Sequence, residues 1–258
     1  MPSSSSTPSL PLQGKTALVT GSSQGIGAAI AHKLASDGAN VVVNYVGNKA
    51  KADATVAAIE QLGLGKAVAV QADVSGLAGG KKLVEETVKA FGSIDILVLN
   101  AGIMGSSTLS GLTEEFYDSH FAVNVKGPLF LAQAAVPHMP QGGRIVFFST
   151  GLIAQSGITP NYLVYVATKG AVEQLARVLA KELGAKGITV NSIAPGPTAT
   201  ELFLKGKPEA LLEGIKKSGP FGRLGQPDDI ADAVAFLASP AARWVSGTTL
   251  RVTGAMIV

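Results

Sequence analysis

The segment Thr20-Gly21-Ser22-Ser23-Gln24-Gly25-Ile26-Gly27 decides the fold. An apolar run, Thr16-Ala17-Leu18-Val19, leads into it, and Ile26, Ile30 and Leu34 follow at i, i+4 and i+8. A buried strand, a glycine turn and a core-facing helix therefore succeed one another. Gly21 permits the sharp reversal, Gly25 lets the backbone approach a ligand, and Gly27 lets the helix pack on the strand. Ser23, Gln24 and Ile26 complete the turn. Exposed N–H groups at such a helix start bind anions, and in open parallel sheets a dinucleotide pyrophosphate lies there. The spacing is G-x3-G-x-G rather than the general G-x-G-x-x-G.

Outward from this turn the text alternates. After the first strand and helix come ANVVVNY as strand, KAKADATVAAIEQLG as helix, KAVAVQADV as strand and GGKKLVEETVKAFG as helix. IDILVLNAG is a fourth strand, followed by a helix from about Thr113 that breaks near Pro137, and GGRIVFFS is a fifth. A helix over about 163–183, the strand GITVNSIAPG, a helix over about 227–238 and the strand GTTLRVTG close the pattern. The strands are continuous apolar runs, as expected where helices cover both faces of a sheet. The expectation is an α/β fold: one Rossmann-type doubly wound domain over 13–258, with a parallel seven-stranded sheet and helices on both faces. A (β/α)₈ barrel would share the alternation, but the glycine turn after strand one favours the open sheet.

Composition narrows the function classes. The 258 residues are 47% hydrophobic and 15% charged, with no cysteine, which excludes disulfide frameworks, thiolate metal sites and cysteine nucleophiles. A formal charge of +3 without a block of like charges lacks the footprint of nucleic-acid binding. No apolar run reaches the roughly 18 residues of a membrane span. Residues 1–12, MPSSSSTPSLPL, have neither a basic nor an apolar signal region and read as a disordered leader; the expected location is cytoplasmic. His32, His120 and His138 show no ligand spacing, so no metal site is expected. Trp244 reads as packing near the last strand.

Two decoys fall away. Gly14-Lys15-Thr16 resembles the end of a P-loop, but Ser9 stands where its first glycine belongs, and the tripeptide precedes a strand. Ser149 is not in a nucleophile elbow, since Phe147 occupies the required glycine position. After strand two, where an NAD enzyme places an acid on the ribose 2′-hydroxyl, stands Val43-Asn44-Tyr45-Val46-Gly47-Asn48-Lys49. The neutral groups of Asn44, Tyr45 and Asn48, with Lys49 nearby, would accept a 2′-phosphate, so NADP(H) is expected over NAD(H).

Tyr165 and Lys169 stand at i, i+4 on one helix face. A phenol titrates near pH 10, and a fixed ammonium beside it favours the phenolate, which makes it a workable acid/base. In chain order the glycine turn, Asn100-Ala101-Gly102, Asn124, Ser149-Thr150, Tyr165/Lys169 and Pro195-Gly196 together resemble the short-chain dehydrogenase/reductase family, over about residues 13–254. Through VNY, GGRIVFFS and WVSGTTLRV the chain looks most like its NADPH-dependent carbonyl reductases of the hydroxynaphthalene type. The resemblance implies Tyr165 as acid/base and Lys169 as holder of the nicotinamide ribose that also lowers the phenol pKa. It further implies Asn124 as anchor of a water leading from Lys169, and a hydroxyl after strand five that orients the carbonyl. Asp73 and Val74 match the adenine contacts; Pro195, Gly196, Thr198 and Thr200 match the nicotinamide segment.

Ungapped alignment puts Thr150 at the usual serine position, and Thr150 is favoured over Ser149 as that hydroxyl. The helix over 163–183 is apolar around more of its circumference than one core stripe needs, and the resemblance implies a homotetramer. Residues 197–225, with Leu202, Phe203, Leu204, Leu211, Leu212, Ile215 and Phe221 between flexible joints, read as a substrate lid. With Ile153, Ile158, Tyr162 and Met104 they imply an apolar pocket for a ketone or aldehyde with bulky aliphatic or aromatic groups. The expected activity is reduction of such a carbonyl with NADPH. NAD-dependent alcohol oxidation and a non-catalytic NADP(H) sensor are the alternatives.

Overall fold

Apolar runs that read as strands pair into a single parallel sheet, β1 (Thr16–Val19), β2 (Asn40–Tyr45), β3 (Ala67–Gln71), β4 (Ile96–Leu99), β5 (Arg144–Phe148), β6 (Thr189–Pro195) and β7 (Thr249–Val252). The spatial order is β3-β2-β1-β4-β5-β6-β7. The coordinates are a computed structural model that describes residues 10–258. Between the strands run α1 (Gly25–Ser36), α2 (Lys49–Glu60), α3 (Leu77–Phe91), α4 (Glu114–Phe121), α5 (Gly127–Ala135), α6 (Leu163–Leu183), α7 (Glu201–Leu204), α8 (Glu209–Ser218) and α9 (Pro227–Ala238). The sheet is doubly wound and open, not a barrel. Among the described residues no helix is long and apolar enough to cross a membrane.

Side-chain alternation along the strands divides the core in two. Ala17, Val19, Val41, Val43, Ile96 and Val98 face one layer with α1, α2 and α9. Leu18, Val42, Leu97, Leu99, Ile145 and Phe147 face the other with α3, α5 and α6. Nearly all of these are fully buried. Each such side chain contributes about 1.5–3 kcal/mol, which explains why the strands carry no polar face. The chain order reverses between β1 and β4, and the crevice at their carboxyl ends is where such sheets bind ligands.

Local chemistry sets the helix ends. Thr113 caps α4 by accepting from the Phe116 N–H at 3.2 Å. A π-type turn over Ala122–Lys126 joins α4 to α5, and a single 3₁₀ turn over Val136–His138 carries the expected break at Pro137.

Two expectations need correction. The leader, expected through residue 12, cannot include its last residues: Leu12 is buried in the α1 layer, and its N–H donates to Asp37 O at 2.8 Å. Residues 1–9 lie outside the described chain. Trp244 does not pack; it is 96% exposed, because Ala242 and Val245 on either side fill the core contact. In α6, Val164, Val172, Ala176 and Leu183 are buried within the chain, whereas Val178 is exposed.

Leu12→Ala should lower the unfolding free energy by about 2–4 kcal/mol in a urea titration; a residue of a disordered leader would leave it unchanged.

Candidate active site

The glycine turn is built as its spacing requires. Gly21 and Gly25 have φ of +60° and +58°, which side chains disfavour. Gly27 has an ordinary φ, but a Cβ there would collide with Gly21 O and lie 2.7 Å from Asn100 Nδ2. Two asparagines brace the turn. Asn44 Oδ1 accepts from the Gly21 N–H at 3.1 Å while its amide donates to Val70 O and Ala72 O. Asn100 Nδ2 donates to Thr20 O at 2.9 Å. Gln24 precedes α1 without capping it, and no acid stands in its first turn, so the free N–H groups face the crevice. These features fit a dinucleotide pyrophosphate.

A cleft of about 920 Å³ opens over the turn. Gly21, Ser23, Gln24, Gly25, Ile26, Gly27, Tyr45, Asp73, Val74, Asn100, Ala101 and Gly102 line one end of it. Ser149, Thr150, Tyr165, Lys169, Pro195, Gly196, Thr198 and Thr200 line its middle. The Asp73 carboxylate accepts from the Ser75 N–H at 2.9 Å, which holds it below the usual carboxylate range and keeps it an acceptor.

Three residues expected at the cofactor lie elsewhere. Asn44 is buried and its polar atoms are engaged by backbone, so it positions the turn and does not reach a ligand. Asn48 caps α2, accepting from the Lys51 N–H at 3.0 Å. Lys49 pairs with Asp53 on its own helix at 2.7 Å. The cation that does reach the turn is Lys51, whose Nζ lies 2.6 Å from Gln24 Oε1. It lies two residues beyond Lys49 on α2, and the packing of α2 on the turn brings it there.

Behind the cleft, Lys169 is buried with its Nζ donating to Phe148 O at 2.8 Å and lying 5.9 Å from the Tyr165 ring centre. A Cβ on Gly102 would sit 3.4 Å from that Nζ and 3.2 Å from Asn124 Oδ1, so the bare glycine lets the two groups come together. Asn124 does not line the cleft. Its amide donates to Ile103 O at 2.9 Å and Thr168 Oγ1 at 3.1 Å, and its Oδ1 accepts from the Ile103 N–H. Both donors are spent, so Asn124 fastens the loop after β4 to α6, and the expected water anchor is not its side-chain amide.

Burial governs both titrating groups. It pushes the Tyr165 phenol above its ordinary value, against a downward pull from the Thr150 hydroxyl. It lowers the Lys169 amine to about 8. The expected depression of the phenol by Lys169 is not found: burial dominates, and the downward pull comes from Thr150.

The adjacent hydroxyls separate cleanly. Ser149 Oγ donates to Glu173 Oε1 at 2.7 Å, while the Thr150 hydroxyl accepts only a long 3.4 Å contact from the Leu152 N–H and pulls the Tyr165 phenol downward. Glu173 stands one turn past Lys169 on α6, and nothing local in the sequence distinguishes it from a surface acid.

At the far end Met104, Leu152, Ile158, Tyr162, Leu202, Phe203, Leu211 and Ile215 line the cleft. Leu152 takes the place expected for Ile153. Of the other lid residues, Leu212 is buried, whereas Leu204 and Phe221 are exposed. Met256 and Ile257 also line the cleft, contributed by a tail whose sequence has no periodic signal. His120 is buried and stacked on Phe116 with ring centres 4.1 Å apart, away from the cleft lining.

A family model described as enoyl-(acyl carrier protein) reductase matches residues 21–256. An uncharacterized oxidoreductase of Methylorubrum extorquens is 48% identical over 245 residues, 94% of this chain and 98% of that protein. Versicolorin reductase 1 of Aspergillus parasiticus is 41% identical, over 94% of this chain and 96% of its own. A short-chain dehydrogenase from Burkholderia cenocepacia, solved in complex with NADP, superposes with a TM-score of 0.90 at 39% identity, covering 95% of this chain and 99% of that one. The chain belongs to the short-chain dehydrogenase/reductase family of oxidoreductases.

Because Lys169 titrates near 8 when folded against an ordinary 10.5, the native state binds fewer protons than the unfolded chain between those values, and stability rises with pH across that window. In Lys169→Met the rise in unfolding free energy from pH 8 to 10.5 should shrink by about 3 kcal/mol. Urea titrations of both proteins at the two pH values measure this, and an equal rise in both would contradict it.

Proposed function

We propose that the protein is an NADPH-dependent carbonyl reductase, converting an apolar or aromatic ketone or aldehyde to its alcohol with Tyr165 as proton donor. One observation carries the reading: the Tyr165 phenol, the Thr150 hydroxyl and the Lys169 amine meet in the wall of a cleft whose floor is the glycine turn. The bound reduced nicotinamide supplies the hydride. Thr150 positions the carbonyl oxygen by donating to it, and the lid residues Leu202, Phe203, Leu211 and Ile215 exclude water from the apolar end. Tyr165 gives its proton to the developing alkoxide, and the buried Lys169 amine, titrating near 8, restores the phenol. A phenol whose pKa is raised by burial stays protonated at neutral pH and is already in the form reduction consumes.

The preference for NADP(H) is supported by the absence of an acid at the end of β2 and by Lys51 beside Gln24. NADP bound to the Burkholderia cenocepacia neighbour agrees with it. The name of the Aspergillus parasiticus relative points toward reduction. Exposed Val178 on α6 and Trp244 before β7 are apolar surface that a homotetramer would cover.

NADPH oxidation followed at 340 nm with a panel of ketones, quinones and aldehydes, and repeated with NADH, tests the assignment. Tyr165→Phe should cut kcat by about 10²–10⁴-fold with NADPH affinity retained; full turnover in that variant would end the proposal. Thr150→Ala should lower turnover by a similar order, whereas Ser149→Ala should leave it nearly intact; the reverse pattern assigns the hydroxyl to Ser149.

A further inference from the structure

Lys51 rises from the first turn of α2 and holds two partners from distant parts of the chain. Its Nζ lies 2.6 Å from Gln24 Oε1, in the glycine turn, and 2.7 Å from Glu201 Oε2, the first residue of α7 in the lid. Both partners line the cleft. Beside them the lid touches the turn directly, since a Cβ on Gly25 would meet the Thr200 methyl at 3.5 Å. Thr200 in turn caps α7 by accepting from the Phe203 N–H at 3.2 Å. One ammonium thus ties the phosphate cradle to the lid.

We propose that Lys51 reads the phosphate on the adenosine ribose, and that Glu201 competes with that phosphate for it. The inference rests on the NADP(H) reading above. The Lys51 and Glu201 side chains are 41% and 69% exposed, so water weakens their ion pair and makes it exchangeable. A ribose phosphate brings three acceptor oxygens and more negative charge than a carboxylate, so it is the stronger partner for one ammonium. Gln24 presents its oxygen to Lys51, which leaves its amide N–H groups as further donors. Once the phosphate is seated, Glu201 faces like charge and gives up its place; Lys205, whose charge also reaches it, offers another partner. Lys51–Glu201 is then a lid clasp that NADP(H) exchanges and NAD(H) leaves closed.

The two partners make opposite predictions. Calorimetric titration with adenosine 2′,5′-bisphosphate and with AMP, which differ only in the 2′-phosphate, reads binding without turnover. Lys51→Met should weaken the bisphosphate about tenfold and Glu201→Gln should strengthen it about threefold, with AMP moving less than about twofold in either. If both substitutions shift bisphosphate binding in the same direction, the pair is only a structural tie and the competition is refuted. An unchanged Glu201→Gln refutes it equally. A wild-type protein that prefers the bisphosphate, with Lys51→Met unchanged, removes Lys51 from recognition while sparing the cofactor reading. Equal wild-type binding of the two ligands overturns the NADP(H) reading itself, and this inference with it.

Discussion

No side chain fits between the turn that leaves β1 and the first turn of α1, and the rest of the site depends on that exclusion. At Gly27 a single added carbon would strike Gly21 O and crowd Asn100 Nδ2. The closeness lets α1 begin against the strand end with its N–H groups bare at the crevice between β1 and β4, an arrangement of backbone alone that fits an anion. Asn44 and Asn100 then spend their amides holding this backbone from either side. Their hydrogen bonds replace the water that so sharp a turn would otherwise need.

A second consequence follows at the other end of the crevice. Gly102, bare for a related reason, lets Lys169 and Asn124 approach the loop after β4, which places an ammonium in the interior with a backbone carbonyl as partner. Desolvation outweighs the attractions there. The amine falls toward neutrality and the phenol rises. A raised phenol and a lowered amine, nearly equal in free solution, are driven apart so that the phenolate binds a proton more tightly than the amine, and a proton on Lys169 runs downhill to it.

Much of this was legible beforehand. Strand identities, the open sheet, the sharp reversal at Gly21 and the close packing at Gly27 follow from periodicity and steric need, which act within a few residues. Tyr165 and Lys169 were legible because a helical turn fixes their common face. The misjudged residues are those whose partner is distant in the chain. Asn44 stands at the end of β2, where a ribose contact is expected, whereas its partners are Gly21, Val70 and Ala72. Lys49, the cation nearest the end of β2 in sequence, is taken by Asp53, whereas Lys51 is engaged by Gln24 and Glu201.

The sequence by itself determined the doubly wound class, the place of the phosphate turn and the pairing of phenol with amine, since each is a local consequence of side-chain size and helical repeat. Tertiary packing alone separates the two adjacent hydroxyls. Glu173, brought up by α6, takes Ser149 and leaves Thr150 without that acid. It also decided that Met256 and Ile257 close the apolar end and that Leu12 belongs to the core. These contacts join segments far apart along the chain, and their energies depend on burial and on which polar atom reaches a partner first, which no local pattern encodes.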